Sequence, residues 1–448
     1  MKTLLIPVIC TISINTLQAK SLKTVVSEVL DTNPVVMERL QNYKATSEEI
    51  DIAQAGYYPT LDLQSGVGQK STGRISNDVA EETYDVFQNS LILRQNLFSG
   101  FSTQEQVDYQ KMRTLAASYS YLEKANDVTL QTIKVYLDLF KEKELLKNSQ
   151  INVDHNEKLY TKVRKAFGAG LTTRSEVSKI QSSFSLSKSN MMVQKNRLAT
   201  ANFNYRRVTG QLISISEMKN VKFDLALPSN LEKATMYALE YNPSLLVGKY
   251  NIKGAEALYR ESKSNYYPKL DFELSGNYND NFSEFEGKDD RIQGMVVLSY
   301  NLFNGGADEA TRRNKLSQLS QEVEVTNDLK RQVTEGTDLS WAAYELALDQ
   351  MPFLNDYKSQ SAETLKLYSK EYDLGERSLL DLLSAENDLK RAKDELTSSK
   401  YSLLLSKYRI LDAMGLTMAS IMGDVEEYYQ RVGVDSKNEN TVYDTLKR

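Results

Sequence analysis

The fold is decided by a stretch that begins with Tyr57-Tyr58-Pro59 and ends with Asn96-Leu97-Phe98-Ser99-Gly100. The same stretch returns later in the chain, from Tyr266-Tyr267-Pro268 to Asn301-Leu302-Phe303-Asn304-Gly305. An Asn-Pro pair precedes each copy, Asn33-Pro34 in the first and Asn242-Pro243 in the second. A duplication of this length predicts that one architectural unit is used twice, so we expect a pseudo-symmetric fold.

Within each copy, two runs of sequence alternate apolar and polar residues. In the first run, Leu61, Leu63 and Val67 alternate with Asp62 and Gln64. A period of two predicts four strands in the chain, at about 57–70, 84–98, 266–279 and 290–303. A strand of about 14 residues, tilted by about 45°, is about 30 Å tall, which matches the hydrocarbon core of a bilayer. One apolar and one polar face is typical of a transmembrane barrel with a wet lumen, although a soluble hairpin packed on a core gives the same pattern.

The sequence between these strands favours very long helices. Only 7 prolines and 20 glycines interrupt the 448 residues, and so few breakers indicate long uninterrupted elements. Residues 100–170 and 306–375 each predict a helical run of about seventy residues, which spans about 105 Å at 1.5 Å per residue. Return helices are predicted at about 173–210 and 378–415.

The two turns between the long helices align residue by residue. Each contains a glycine suited to the left-handed position that ends a helix, then a hydroxyl residue suited to an N-cap, then an acid three residues later. These residues are Gly170, Thr173 and Glu176 in the first turn and Gly375, Ser378 and Asp381 in the second. Helix capping alone accounts for this pattern without any function.

The composition argues against catalysis and nucleic-acid binding. The chain has one His and one Cys, which nearly excludes zinc sites, histidine acid–base chemistry and cysteine nucleophiles. A net charge of -5 without a polybasic patch argues against nucleic acid as a partner. We also find no phosphate-binding loop. The sequence therefore predicts no catalytic residue, no metal ligand and no cofactor.

The N-terminus has the pattern of a secretory signal peptide at residues 1–19, with an early lysine, a short apolar run and a small residue at the exit. Cys10 lies inside the apolar run, and Pro7-Val8-Ile9 before it lacks the small residue typical of lipoprotein acceptor sites. We therefore disfavour lipidation. The expected organisation continues with a first structural repeat at 20–229, a second at 230–416 and a C-terminal periplasmic tail at 417–448. Entry into a membrane would use strands, because no other stretch approaches eighteen apolar residues.

In this doubled order, the motifs resemble those of the TolC-type outer-membrane efflux proteins over nearly the whole expected mature chain. The motifs are Asn-Pro, Tyr-Tyr-Pro, Asn-Leu-Phe-(Ser/Asn)-Gly and a turn with Tyr372, Gly375, Arg377, Ser378 and Asp381. The resemblance implies a mixed fold in a homotrimer. Long α-helical hairpins would form a trimeric α-barrel tunnel, and four strands per chain would complete a twelve-stranded transmembrane β-barrel. This agrees with the strand count, because four strands cannot close a barrel alone.

The resemblance also implies a function. It predicts a passive exit duct in the cell outer membrane, surrounded by outer-membrane lipid and extended into the periplasm. The expected partners are a periplasmic adaptor (membrane fusion) protein and an inner-membrane ABC or RND transporter, in tripartite efflux or in type I secretion. Adaptor contact is expected at the two turns, at Gly170, Leu171, Gly375 and Glu376.

By the same resemblance, links between neighbouring turns hold the periplasmic end of the tunnel shut. Tyr372 matches the gate tyrosine and Arg377 the gate arginine, and their partners match Glu176 and Ser175. An aromatic packed at a helix end and a cation that compensates the helix dipole would leave the same two residues without a gating role.

The acidic ring at the constriction is only partly present. Asp381 matches the first of two acidic residues, but the second position holds Ser384. This departure puts a double carboxylate ring and its cation binding in doubt. Asp388 follows seven residues after Asp381 on the same helix face and is a candidate contributor.

Two other classes of protein compete with the conduit. A periplasmic coiled-coil structural protein or adhesin would explain the helices without a channel, but its heptads should be more regular and it leaves the strands unexplained. An enzyme is disfavoured by the composition. The sequence does not name the exported cargo.

Overall fold

The structure is a computed structural model, and it describes residues 20–72, 82–214, 216, 218–281, 287–436 and 444–446. The predicted signal peptide with Cys10 lies outside the described residues. So do the middle of the loop that connects the strands of each repeat and part of the predicted C-terminal tail.

Helices occupy most of the described chain. In chain order they are α1 (Leu22–Thr32), α2 (Pro34–Gln54), α3 (Ser102–Gly168), α4 (Arg174–Thr209), α5 (Leu231–Tyr241), α6 (Pro243–Glu261), α7 (Ala307–Leu374), α8 (Leu379–Ala413), α9 (Thr417–Met422) and α10 (Glu426–Gln430). The long helices α3 and α7 have 67 and 68 residues, so each spans about 100 Å. Among the described residues, no helix is both long and apolar enough to cross a membrane.

Each repeat opens with a helix pair that breaks at its Asn-Pro. Asn33 separates α1 from α2, and Pro34 occupies the first turn of α2, where a backbone N–H is not needed. The Asn33 amide also donates to the carbonyl of Val208 at 2.9 Å, near the end of α4. Asn242 repeats this contact with the carbonyl of Ala413 at 2.9 Å, at the end of α8. Each Asn-Pro therefore ties the start of a repeat to the end of a return helix.

The strands form one antiparallel sheet in the order β1-β2-β3-β4. They are β1 (Thr60–Thr72), β2 (Glu82–Phe98), β3 (Lys269–Asp280) and β4 (Lys288–Ser299). The register places apolar residues opposite one another, since Leu61 pairs with Leu93 and Leu93 pairs with Leu274. The other face carries polar pairs such as Arg94 and Glu273, whose charged atoms lie 3.6 Å apart.

The apolar face of the sheet is uncovered in this chain. Val67 in the edge strand β1 is 83% exposed, and Ile292 in the opposite edge strand β4 is 86% exposed. The first and last strands, β1 and β4, each have a neighbour on one side only. The sheet therefore has an exposed apolar surface and two open edges.

Strands β1 and β3 begin later than the sequence pattern predicts, whereas β2 and β4 begin two residues earlier. β1 starts at residue 60 rather than 57, because Ala55–Tyr57 forms a short 3-10 turn and Pro59 has no N–H for a strand ladder. β3 starts at residue 269 after a similar turn at Ser264–Tyr266. β4 ends at residue 299, four residues before the expected end.

The main core lies where α1, the middle of α3, the end of α8 and the short helices α9 and α10 meet. Its largest fully buried side chains include Tyr121, Tyr136 and Tyr429. The Tyr136 hydroxyl donates to the carbonyls of Lys219 at 2.7 Å and Lys20 at 3.0 Å. This contact fastens the segment that links the two repeats to the middle of α3, far from the helical turns at the other end of the hairpins.

Candidate functional site

The two helical turns have the same backbone. Gly170 and Gly375 adopt left-handed conformations, with φ of 74° and 78°. In the first turn the Leu171 N–H donates to a carbonyl five residues back at 2.9 Å, and in the second the Glu376 N–H donates to the Glu371 carbonyl at 2.9 Å. This is the hydrogen-bond pattern that ends a helix at a left-handed glycine.

The N-caps of the return helices form as predicted. The Thr173 hydroxyl accepts from the Glu176 N–H at 3.4 Å, and the Ser378 hydroxyl accepts from the Asp381 N–H at 3.1 Å. The Ser378 hydroxyl lies 2.7 Å from the Asp381 carboxylate and donates to it. These contacts are local, and each fixes the first turn of a helix.

Tyr372 sits half-buried above the second turn. It packs against a small apolar cluster of Val163, Ile180, Leu379 and Leu383, which joins α3, α4 and α8. Burial raises the pKa of its hydroxyl, and the negative charges of Glu176 and Asp373 raise it further. The hydroxyl therefore keeps its proton at neutral pH and remains a hydrogen-bond donor.

The Lys162 ammonium lies 5.5 Å from the centre of the Tyr372 ring and also contacts the Asp373 carboxylate. This contact crosses from α3 to the end of α7, so Tyr372 is surrounded by groups of both hairpins.

Arg377 binds a residue that the sequence analysis did not identify. Its Nε donates to Glu371 Oε2 at 2.8 Å, and an Nη atom lies 2.8 Å from the same oxygen. The guanidinium stacks 4.2 Å from the centre of the Tyr368 ring. The hydrogen bond that Arg377 donates to the Glu371 carboxylate is the main reason that the pKa of Arg377 is raised. A spacing of six residues across a helix-ending glycine is the signal that would have found Glu371.

The predicted partners of the gate, Glu176 and Ser175, make local contacts in this chain. The Thr172 hydroxyl donates to the Glu176 carboxylate. The hydroxyls of Ser175 and Thr173 lie 2.8 Å apart. The structure therefore brings Glu176 within electrostatic reach of Tyr372, whereas the side-chain hydrogen bond shown for Arg377 goes to Glu371.

The residues considered for an acidic ring differ in their surroundings. Asp381 is half-buried and engaged in the helix cap, while Ser384 is exposed. Asp388 lies 3.8 Å from Arg391, one turn further along α8. Among the described residues there is no group of three or more His, Cys, Asp or Glu side chains arranged to hold a metal ion.

The tips of both turns are exposed and partly apolar. Gly170, Gly375 and Glu376 are exposed, and Leu171 is 81% exposed. Leu374, at the end of α7, is 74% exposed. Two hairpin ends that each present a leucine to solvent form a surface suited to contact with another protein.

A buried acid lies in the seam between α3 and α8, about two turns above the helical turn. Asn156 donates to Glu386 at 3.3 Å, and burial raises the pKa of Glu386 to about 7. His155 lies 3.7 Å from the same oxygen, but burial lowers its pKa, and the charges of Lys393 and Lys158 lower it further. Near neutral pH this contact is therefore not a strong ion pair.

Comparison with known proteins identifies relatives over most of the chain. The family model described as Outer membrane efflux protein matches residues 25–211 and 236–416. The Outer membrane efflux protein BepC of Brucella suis biovar 1 (strain 1330) is 23% identical over 395 residues, which cover 86% of this chain and 84% of BepC. The Proteases secretion protein PrtF of Dickeya chrysanthemi is 21% identical over 364 residues, 77% of each chain.

Solved structures share the fold. The Campylobacter jejuni CmeC outer membrane channel superposes with a TM-score of 0.77 at 14% identity, over 93% of this chain and 90% of CmeC. The expected combination of long helical hairpins with a four-stranded contribution to a barrel is therefore confirmed, and so is the resemblance on which it was based.

Proposed function

The chain belongs to the family of outer membrane efflux proteins, and we propose that it is one subunit of a trimeric channel-tunnel. Its location is the cell outer membrane, with a helical extension into the periplasm. Its activity is passive conduction and not catalysis, so it serves as the exit duct for substrates that an energised pump delivers.

The sheet carries the proposal. An exposed apolar face and two open edges, at β1 and β4, would leave the isolated chain prone to edge pairing. Because the strands alternate in direction, β4 of one copy can pair antiparallel with β1 of the next. Two copies would give eight strands, whose interior is filled by side chains, so three copies are the smallest number that leaves a lumen.

The faces of the sheet support this placement. The apolar face would contact outer-membrane lipid, and the face with Arg94 and Glu273 would line a wet lumen. Aromatic residues gather where the strands meet the helices. Tyr58 and Tyr267 are exposed there, and Phe101 stacks edge-on against Tyr267 with ring centres 5.5 Å apart. Such aromatic side chains are typical of a membrane–water interface.

The long helices support a shared tunnel. Along α7, apolar side chains recur at seven-residue spacing at Leu339, Leu346 and Phe353, and Phe353 is 77% exposed. A seven-residue apolar repeat is the seam at which one helix packs on another. We assign a neighbouring copy to this seam, because its side chains stay exposed in this chain although α8 and α6 pack on α7.

The gate and the docking sites form the finer part of the proposal. In the closed trimer, Tyr372 and Arg377 link to Glu176 and Ser175 of a neighbouring copy, and Asp381 lies at the constriction. A periplasmic adaptor contacts the exposed turns at Gly170, Leu171, Gly375 and Glu376, and it joins the channel to an inner-membrane ABC or RND transporter. We likewise propose processing after residue 19 and the division into repeats at 20–229 and 230–416, with a tail at 417–448.

The class of exported substrate is set by the inner-membrane pump and not by the exit duct. BepC is named for efflux and PrtF for secretion of proteases, and this chain is similar to both. The proposal therefore covers small-molecule efflux and type I secretion.

Reconstitution in planar lipid bilayers tests the proposal. The protein, purified from outer-membrane fractions in mild detergent, should have the mass of three chains and should give stepwise ion current. Detergent without protein is the blank. A monodisperse monomer, or a trimer that never conducts, would favour the alternative of a periplasmic coiled-coil protein or adhesin without a channel.

A further inference from the structure

We propose that Glu371 is a positioning residue of the gate, which holds the Arg377 guanidinium on its own hairpin in competition with Glu176 and Ser175 of a neighbouring copy. The inference rests on the gate proposed above. It adds a side-chain contact within one chain that favours the open state.

The geometry of the pair is specific. Glu371 lies in the last turn of α7 and Arg377 lies beyond the left-handed Gly375, so the turn brings the two side chains back together. Nε and an Nη atom of Arg377 both lie 2.8 Å from one carboxylate oxygen of Glu371. Tyr368, one turn earlier, covers the face of the guanidinium at 4.2 Å. Three residues of one hairpin therefore define one orientation of the arginine.

This orientation occupies one of the two edges through which Arg377 can bind a carboxylate. The guanidinium is planar, and its Nε–Nη edge forms the fork that binds a carboxylate through two N–H groups. The structure shows this edge on Glu371. A link from this same edge to Glu176 of a neighbouring copy therefore requires that the edge leave Glu371.

The two arrangements are close enough in strength to compete. Side chains of Arg377 and Glu371 are 35% and 34% exposed, and an ion pair of this exposure changes an equilibrium by no more than about fivefold. The link to a neighbouring turn is also a guanidinium–carboxylate contact near the surface. Removal of either partner should shift Arg377 measurably toward the other.

Only the second turn contains this pair. At the aligned positions the first turn has Ala166 in place of Glu371 and Thr172 in place of Arg377. The backbone role of Glu371, whose carbonyl accepts from the Glu376 N–H, does not depend on its side chain. Glu371→Gln therefore removes the charge while it keeps the turn.

The test compares variants that remove the two sides of one ion pair. The background is Tyr372→Phe, which removes one link of the gate so that conductance can move in both directions. In planar bilayers, Arg377→Ser should raise the open fraction and Glu371→Gln should lower it, each by about two- to fivefold. If the pair only stabilised the turn, both variants would change the open fraction in the same direction.

Glu363→Gln is the matched control, because Glu363 pairs with Lys366 at 3.0 Å on the same helix, two turns from the gate. It should leave the open fraction unchanged. All variants are checked for trimer mass before recording. If Arg377→Ser has no effect on an intact trimer, the proposed gate itself fails. If Arg377→Ser opens the channel and Glu371→Gln does not close it, the gate stands and the role of Glu371 is overturned.

Discussion

The two helical turns share a backbone and differ in side-chain chemistry. Both end a helix at a left-handed glycine, both start the next with a hydroxyl cap, and both place an acid three residues later. The second turn adds Glu371, Tyr372 and Arg377, where the first has Ala166, Phe167 and Thr172. The backbone therefore sets the shape of both hairpin ends, and at these three aligned positions only the second carries charged side chains.

The long helices of the two repeats also differ, in how many of their side chains they bury. α3 and α7 are nearly equal in length, yet α3 buries side chains along most of its course. α7 buries few, among them Thr337, Trp341 and Ala347, and it exposes its seven-residue apolar seam. Helix α3 thus runs through the interior of the chain, while α7 supplies the surface that we assign to a neighbouring copy. The gate that we propose in the second repeat would lie on the hairpin whose long helix buries fewer side chains.

The largest expected effect comes from a charge placed on the apolar face of the sheet. Placing it in one strand of each repeat tests whether the strands of the two repeats are equivalent. Leu93→Arg in β2 or Leu298→Arg in β4 should cost about 2–4 kcal/mol near the middle of the bilayer. Gln88→Arg and Gln293→Arg, on the polar face of the same strands, are the matched controls. The measurement is the amount of trimer recovered from outer-membrane fractions.

Similar yields from both pairs of variants would mean that the faces are assigned wrongly. A large loss for Leu93→Arg but not for Leu298→Arg would mean that β4 is not in the bilayer, and that the two repeats differ in more than their turns.

The strands also show how far sequence reasoning reaches. The motif Asn-Leu-Phe occurs in both repeats, but Asn96 lies inside β2 and donates to Asp271 at 2.8 Å. Asn301 lies beyond β4, and its side chain accepts from the Phe303 N–H at 3.0 Å in a local turn. β2 has a strand on each side whereas β4 is at an edge. The alternating pattern predicted that the strands exist. Where each strand ends depends on its place in the sheet order.

In the candidate gate, too, the sequence predicted local contacts but not the contacts that depend on the wider fold. The caps at Thr173 and Ser378 were predictable because an N-cap bonds to an amide three residues away. The contact of Arg377 with Glu371 was not predicted, because it depends on the direction in which Gly375 turns the chain. The burial of Glu386 depends on how α3 packs on α8, which no local pattern contains.

A second prediction uses this buried acid, which has no counterpart at the aligned position of the first repeat. Glu386 aligns with the exposed Gln181. Burial raises the pKa of Glu386 from 4.5 to about 7, so between these values the folded chain keeps a proton that the unfolded chain releases. Its contribution to the free energy of unfolding should therefore fall as pH rises through this window, by at most about 3 kcal/mol, and stay level above it.

Urea unfolding of wild type and Glu386→Gln at a series of pH values measures this effect. His155 acts in the opposite direction below pH 6.5 because its own pKa is lowered, so the difference between the two proteins at each pH isolates Glu386. The glutamine variant should gain relative stability from pH 5 to pH 8. Gln181→Glu is the control in the first repeat, and it should show no such slope. A constant difference across the range would mean that Glu386 is ionised in the folded chain.

The smallest expected effect per contact is at the two helical turns. Tyr372→Phe together with Arg377→Ser removes a hydroxyl and a cation from the second turn. Each exposed link is worth only about 0–1 kcal/mol, but three copies act together in a trimer. Single-channel conductance should therefore rise well above the wild type.

The matched change in the first turn is Phe167→Tyr together with Thr172→Ser, which alters the aligned positions and keeps a hydroxyl beside Glu176. It should leave conductance unchanged, because the position aligned with Arg377 has no cation to release. An equal rise from both variants would show that opening depends on the packing of either hairpin end and not on the second turn. If neither variant conducts more than the wild type while the trimer is intact, both turns are only capped helix ends, and the closure of the tunnel lies elsewhere along the helices.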